Sequence, residues 1–579
     1  MEIKWSVVCA GALACCSLAW GAQRGNAVTD APGEATKLTA AAKKMPDHPL
    51  APPEYRRPEG YVPHPYEKTL QQLRDAHSDS MMTKAHEAYA HVEKVIADGK
   101  WKDTPAGIDA HTCPEWFQDA KFGIFIDWGL WSLASWTPKR AKGAMYPDWY
   151  EFRMYSDFDA QSPFWGYRSY HIKNWGADFQ RDDFIPLFQA KRFNPEALVG
   201  TFKDAGAKYV VPFCKHHGGF CLWDSSYTFR DSVDRGPHRD LMGEAVRACR
   251  KDGLKFGFYF SLAEWEYPII GKDGQLENYS WNKALPYSPD MEYKASGKVA
   301  VKDFVKDYLV PQATEFIDKY SPDILWYDGE WSDAAKNLGG YTISAYFYNV
   351  NDGKKEVAVN DRYGNGEPAE IAGKFKQRSR QWLRTVRGDF FTDEFGDTTE
   401  CIDPAKAHPW EACRGISQSF GNNWQDNASN VVTAHEFICI FADIVARGGN
   451  LLLIVNLDGQ GGLPEIEKRR LLDIGGWLKK YGEAIYSTRA LAPFATKDVS
   501  YTCGKDGRFG YAIIKNLAKE VTVDIAPAEG SDITHLATGE KLPWKYADAT
   551  KKSAVVSLGA LAEGGMPVAL KIVRSSLPR

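Results

Sequence analysis

The sequence predicts an α/β fold in which a (β/α)8-like, TIM-type barrel is followed by a C-terminal all-β sandwich. Three observations predict it. Between residues 110 and 492, short runs that are apolar on both faces recur, as buried parallel strands require. Longer helical patterns such as PEALVGTFKDAGA and RDLMGEAVRACRKDG lie between them, the alternation of a parallel barrel. From residue 493 to 579 the runs become short and alternating (YAIIKN, EVTVDI, SAVVSL, PVALKIV) and are punctuated by Gly, Asp and Pro, the pattern of a small sandwich.

Taken in order, residues 1–22 (MEIKWSVVCAGALACCSLAWGA) combine Lys4, an apolar stretch and small residues near Ala19, Gly21 and Ala22, the layout of a secretory signal peptide. Cys15 and Cys16 raise lipoprotein anchoring as a weaker alternative. Residues 23–64, rich in Ala, Pro, Lys and Glu, read as a disordered leader. Residues 65–109 form a helical N-terminal extension, carried by YEKTLQQLRDAHSDSMMTKAHEAYAHVEKVIADG from Tyr66. The strand candidates of the barrel are FGIFIDWG, YVVPFCKHH, KFGFYFSLAEW, DILWYDGEW, EVAVNDRYG and NLLLIVN. No later segment has the roughly 18 apolar residues of a membrane span.

Composition narrows the function classes. The 71 basic and 75 acidic residues nearly cancel, giving a formal net charge of −4, which supports neither a nucleic-acid nor an anionic-membrane partner. Aromatic residues make up 13% of the chain, enough to furnish a sugar-binding cleft as well as a core. Cys9, Cys15 and Cys16 lie in the first segment, and no pair elsewhere has the C-x-x-C spacing of a zinc ribbon. The sequence calls for no metal or organic cofactor.

Polar residues cluster where the apolar runs stop: Asp127, His216, His217, Glu264, Asp328 and Arg362. In a parallel barrel the C-terminal strand ends converge on the catalytic face, so these side chains are expected to line one mouth. Zinc binding by His216 and His217 is a rival reading. It is disfavoured because neighbouring strand residues point to opposite faces.

The motifs WFQDAKFGIFIDWG, DWYEFRMY, FNPEALVGTFKDAGAKYVVPFCKHHGGFCLWDSSYT, RDLMGEAVRACRKDGLKFGFYFSLAEW, SPDILWYDGEW and IGGWLKKYGEAIYSTR resemble, in order, those of the retaining α-L-fucosidases of glycoside hydrolase family 29. The similarity spans roughly residues 113–490. It implies an exo-acting hydrolase that removes terminal α-L-fucose from glycans by double displacement. Such chemistry needs two carboxyl groups about 5–5.5 Å apart, one nucleophile and one acid/base. The resemblance places the nucleophile at Asp328 and, through GDFFTDEFG, the acid/base at Glu394, with Glu411 as fallback. Glu330 follows Asp328 but is expected one layer out. The resemblance further implies sugar binding by Asp127, Asp148, Trp149, His216, His217, Tyr259 and Arg362, and a glycan as the partner.

The departures from the family pattern concern sugar recognition. Asp127 stands for the histidine of HWG, Asp148 for a glutamate, Gly218 for the aspartate of HHDGF, and Asp393 for a proline beside Glu394. NLLLIVNLDGQG also differs from the family's LLLNVGPxxDG. A carboxylate only accepts hydrogen bonds, so at position 127 it demands a substrate hydroxyl that donates. The same mechanism on another α-L-sugar, such as an α-L-galactoside or α-L-glucoside, therefore stays open, as does a catalytically idle sugar binder. Export to the periplasm or outside the cell follows from the signal peptide.

Overall fold

The computed structural model describes residues 51–63, 68–139, 145–155, 166–279, 285–286, 296–364, 388–395, 408–525 and 527–574. The signal peptide, the lipoprotein cysteines and most of the leader lie outside them. Eight parallel strands form the barrel: β1 (Phe122–Asp127), β2 (Tyr209–Lys215), β3 (Lys255–Ser261), β4 (Ile324–Asp328), β5 (Ala358–Val359), β6 (Phe391–Glu394), β7 (Trp410–Gly415) and β8 (Asn450–Asn456). They pair in the order β5-β4-β3-β2-β1-β8-β7-β6. One parallel bridge, Asn360 to Phe390, joins the two ends of that order. This is the predicted barrel, with β6 and β7 added to the six strands that the apolar runs mark.

The strands form because both their faces find apolar cover. Every residue of β1, β2 and β8 is buried. Helices between them are fixed by their caps: Asn194 accepts from the Ala197 N–H ahead of Pro195–Asp204, and Asp240 from the Gly243 N–H ahead of Leu241–Asp252. Each such cap contributes about 1 kcal/mol. Inside the ring, aromatic side chains fill the lumen. Phe213 stacks on Tyr259 with centroids 4.0 Å apart, and Phe125 lies 4.7 Å from both Phe213 and Trp326. Aromatic pairs of this kind add roughly 0.5–1.5 kcal/mol each beyond burial. The period-2 repeat of a strand then sets the next inward layer, because Asp127, Ser261 and Asp328 lie two residues beyond Phe125, Tyr259 and Trp326. An apolar plug thus carries a polar floor directly above it.

The predicted N-terminal helix is Lys68–Asp98, which packs on the outer helices of the barrel. From Thr488 onward the chain forms two antiparallel sheets, one of six strands and one of three, as the alternating runs predict. They are tied to the barrel by Lys515 Nζ on Asp443 (2.6 Å), Trp477 Nε1 on the Pro567 carbonyl (2.7 Å) and Arg489 on Asp119 (2.8 Å).

Candidate active site

Asp328 ends β4 and is the most heavily hydrogen-bonded carboxylate of the mouth. Its Oδ1 accepts from Arg362 Nη2 at 2.7 Å and from the Gly329 N–H at 2.8 Å, while Oδ2 accepts from the Tyr259 hydroxyl at 2.7 Å. His217 Nε2 stands 3.5 Å from the same Oδ2. Burial pushes the carboxyl up, but the Arg362 guanidinium, helped by the Tyr259 hydroxyl, outweighs it and holds Asp328 well below the usual carboxylate range. The group is a shielded carboxylate, ionised near neutral pH.

Arg362, which follows the short β5 strand, organises the rest. Beyond Asp328, its Nη1 lies 2.6 Å from Glu394 Oε1, and its Nε lies 3.2 Å from Glu330 Oε2. Three carboxyl groups thus surround one planar guanidinium, whose fork holds two of them side by side. Glu394 is the outermost, with 32% of its side chain exposed against 14% for Asp328 and 12% for Glu330. Asp361, next in sequence to Arg362, accepts from the Thr392 N–H and hydroxyl at 2.9 and 2.8 Å, pinning β6 two residues before Glu394.

The Glu330 position corrects the sequence expectation. Strand alternation stops at Asp328 because Gly329 adopts φ +96°, and a Cβ there would come within 2.8 Å of the Ala263 Cβ. The chain turns sharply, and Glu330 comes back to the cluster instead of sitting a layer out. Glu411, the fallback acid/base, is elsewhere. Both its oxygens are occupied deep in the lumen, by Trp326 Nε1 at 2.9 Å and by the Tyr209 hydroxyl at 2.5 Å. Glu264 does not join the mouth either. It is fully buried between Lys215 (2.9 Å) and Lys298 (2.5 Å); burial raises its carboxyl, but the two ammonium groups prevail and bring it to about 2.

The two histidines converge. β2 ends at Lys215, so His216 and His217 lie beyond the pleat and alternation does not separate them; their rings are 4.2 Å apart. His217 Nδ1 faces the Ala263 carbonyl at 3.1 Å, an atom that can only accept, so Nδ1 carries the proton and Nε2 offers a lone pair to the site. Burial lowers both imidazoles to about 3, so they are neutral near pH 7. His216, His217 and Asp328 have ligand atoms within 4.8 Å of one another, which resembles a metal site. The guanidinium 2.7 Å from Asp328 and the three donors already on that carboxylate argue against a divalent cation there.

A second acidic pair lies beside them. Asp127 is fully buried; its Oδ1 accepts from Trp131 Nε1 at 2.8 Å, and its Oδ2 has no hydrogen-bond partner among the described residues. Asp148 is 5% exposed, with Oδ2 3.5 Å from His216 Nε2 and Oδ1 likewise without a partner. Burial raises both carboxyls well above the usual range, and the Asp148 charge adds to the rise at Asp127. Two buried carboxyl oxygens are therefore left for a ligand to pair with, by accepting or, once protonated, by donating. Trp149 closes this side, its ring 5.4 Å from His217, 5.8 Å from Trp265 and 5.9 Å from Trp331. The Gly218 departure also has a counterpart: a Cβ there would lie 3.0 Å from Glu151 Oε2, so that glutamate occupies space an aspartate at 218 would need.

All nine residues expected at the site thus gather at one mouth. Sequence reasoning undervalued Glu330 and missed Trp265, Trp331 and Ser261, although the tryptophans stand in the very strand-end motifs that named their neighbours.

Comparison with known proteins gives one answer. A family model described as alpha-L-fucosidase matches residues 88–483. Tissue alpha-L-fucosidase of Bos taurus is 30% identical over 465 residues, covering 79% of this chain and 87% of the bovine one. Plasma alpha-L-fucosidase of Homo sapiens is 31% identical over 422 residues, covering 72% and 78%. Among solved structures, Thermotoga maritima alpha-fucosidase with a mechanism-based inhibitor superposes with a TM-score of 0.63 at 30% identity, covering 82% of this chain and 100% of that one.

Proposed function

The chain belongs to the alpha-L-fucosidase family, and from that premise we propose that it removes terminal α-L-fucose from glycans with retention of configuration. Asp328 is the nucleophile. One of its oxygens attacks the anomeric carbon as Glu394 gives its proton to the departing oxygen, and a glycosyl ester of Asp328 forms. Glu394 then takes a proton from water, whose oxygen attacks the same carbon and releases Asp328. Arg362 keeps Asp328 charged and in place between turnovers. The observation that carries this reading is the ionised Asp328 sharing one guanidinium with Glu394, the carboxyl of the cluster most open to solvent.

His216, His217, Asp127, Asp148 and Trp149 read the hydroxyls of the bound sugar. His217 Nε2 accepts, and the unpartnered oxygens of Asp127 and Asp148 are left to pair with sugar hydroxyls. The aromatic wall of Trp149, Trp265 and Trp331 offers an apolar face to a deoxy sugar's methyl group. A second reading, the same chemistry on an α-L-galactoside or α-L-glucoside, is favoured by the buried Asp127 in place of a histidine. Residues 1–22 would act as a secretory signal, sending the enzyme to the periplasm or cell exterior. Residues 65–109, 110–492 and 493–579 would be its helical extension, catalytic barrel and β domain.

The test is hydrolysis of aryl α-L-fucoside, galactoside and glucoside side by side. Release from the fucoside supports the primary reading, and release only from another L-sugar supports the second. Silence across the panel, with L-fucose still bound, would make the protein a sugar binder.

A further inference from the structure

The cluster around Arg362 holds more carboxyl groups than its one positive charge can balance. Asp328, Glu330 and Glu394 all contact the guanidinium, at 2.7, 3.2 and 2.6 Å, and His217 nearby is neutral. In the resting enzyme Glu394 holds the proton it gives to the leaving group, so Asp328 and Glu330 ionised together would leave one uncompensated negative charge in a largely buried site, and two once that proton is given up, which low local dielectric makes costly. A second proton, beside the one Glu394 carries, removes that excess, and the geometry selects its site. Asp328 has three donors and is the ionised member. Glu394 has the shortest contact with the cation and the most solvent. Glu330 is the least exposed of the three, and neither its Oε2 nor the Arg362 Nε that faces it completes a hydrogen bond among the described residues.

The geometry points to Glu330 as a positioning residue that remains protonated during catalysis and, by staying neutral, leaves Arg362 to Asp328 and Glu394. This rests on the fucosidase reading above. Once ionised, Glu330 competes for the same guanidinium through Nε and draws it from the nucleophile, so activity falls on the alkaline side. The charged groups facing Glu330 are Arg362, from the end of β5, Asp328, from the end of β4, and Glu394, from the end of β6. Burial raises its carboxyl to about 8, Arg362 opposing and Asp328 and Glu394 reinforcing the rise.

The experiment must separate Glu330 from the acid that serves the leaving group. α-L-Fucosyl fluoride departs with little protonic help, and kcat/KM reports only the step up to the glycosyl-enzyme. With this substrate the wild type should lose activity through a limb near pH 8. Glu330→Gln should keep its activity to a pH about one unit higher, at the expense of a several-fold lower plateau. Glu330→Asp retains a titrating carboxyl farther from Arg362, so its limb should persist but move; it serves if the glutamine variant does not fold. A limb unmoved in either variant overturns the proposal, as does a flat wild-type profile. A Glu330→Gln enzyme inactive on aryl fucosides but rescued by azide with retention would also overturn it, making Glu330 the acid/base itself. No turnover of the fluoride by the wild type would refute the fucosidase reading instead.

Discussion

Replacing Arg362 by Gln removes the guanidinium that touches Asp328, Glu330 and Glu394 together. Two of its contacts, 2.7 Å to Asp328 and 2.6 Å to Glu394, are charge-assisted. Hydrogen bonds to charged groups contribute roughly 1.5–3 kcal/mol each, so the pair is worth about 3–6 kcal/mol. The one-third exposed Glu394 contact pulls the sum toward the lower end. At about 1.4 kcal/mol per decade, kcat/KM should fall on the order of 10²–10⁴-fold. Arg362→Lys keeps the charge but not the fork, reaches one carboxylate at a time, and should fall less. The acid limb gives a second readout. Arg362 is the foremost influence lowering Asp328, against the upward push of burial. Without it Asp328 protonates at higher pH, and kcat/KM should decline sooner as pH falls. The assay is kcat/KM on an aryl α-L-fucoside across pH, with Tm measured alongside to separate misfolding. An Arg362→Gln enzyme that is folded, within about fivefold of wild type and unchanged in its acid limb would refute the reasoning.

Four further outcomes follow from the same geometry. Glu394→Gln should suffer most on substrates with poor leaving groups and regain turnover with azide, yielding the α-azide; Glu411→Gln should keep turnover and lower Tm, since its carboxylate serves Tyr209 and Trp326 in the lumen. Asp127→Asn should change the ratio of fucoside to galactoside hydrolysis more than the ratio between leaving groups; equal losses across sugars would show that Asp127 does not read a hydroxyl. Stability should fall as pH rises from about 6.5 to 8, because Glu151, Asp231 and Glu411 (about 7) and Glu330 and Glu467 (about 8) are carboxyls raised by burial. Their stabilisation is complete below the unfolded carboxyl pKa and is lost through the folded values. A Tm that climbs over that interval contradicts it.

Much of the barrel was legible because its strands are apolar on both faces, a pattern few other elements produce. β6 and β7 were not, for a physical reason: Phe391–Glu394 is half-exposed along its length, and Trp410–Gly415 carries Glu411 and Arg414 within six residues. Exposure in the one and charge within the other hide the apolar pattern. The placement of Asp127, His216, His217, Asp328 and Arg362 at one mouth was legible from strand ends, since a polar group after a buried strand has few places to go but the mouth. That rule misplaced Glu264, whose partners Lys215 and Lys298 come from distant sequence and could not be anticipated from local pattern. It also misplaced Glu330, and the opposite-faces argument failed for His216 and His217, because in both cases the pleat ends one residue earlier than alternation assumes. The left-handed Gly329 was the available clue for Glu330.

The most direct test of the account is to trap the intermediate on the enzyme. A fluorine at C2 slows both steps of the double displacement, and a fluoride leaving group restores the first, so 2-deoxy-2-fluoro-fucosyl fluoride should accumulate as a covalent ester. Peptide mass spectrometry after quenching should find one fucosyl label per chain, on Asp328 in the peptide containing ILWYD, and none in Asp328→Asn. A label on another residue, or fucoside turnover that survives Asp328→Asn, would contradict the assignment on which the mechanism rests.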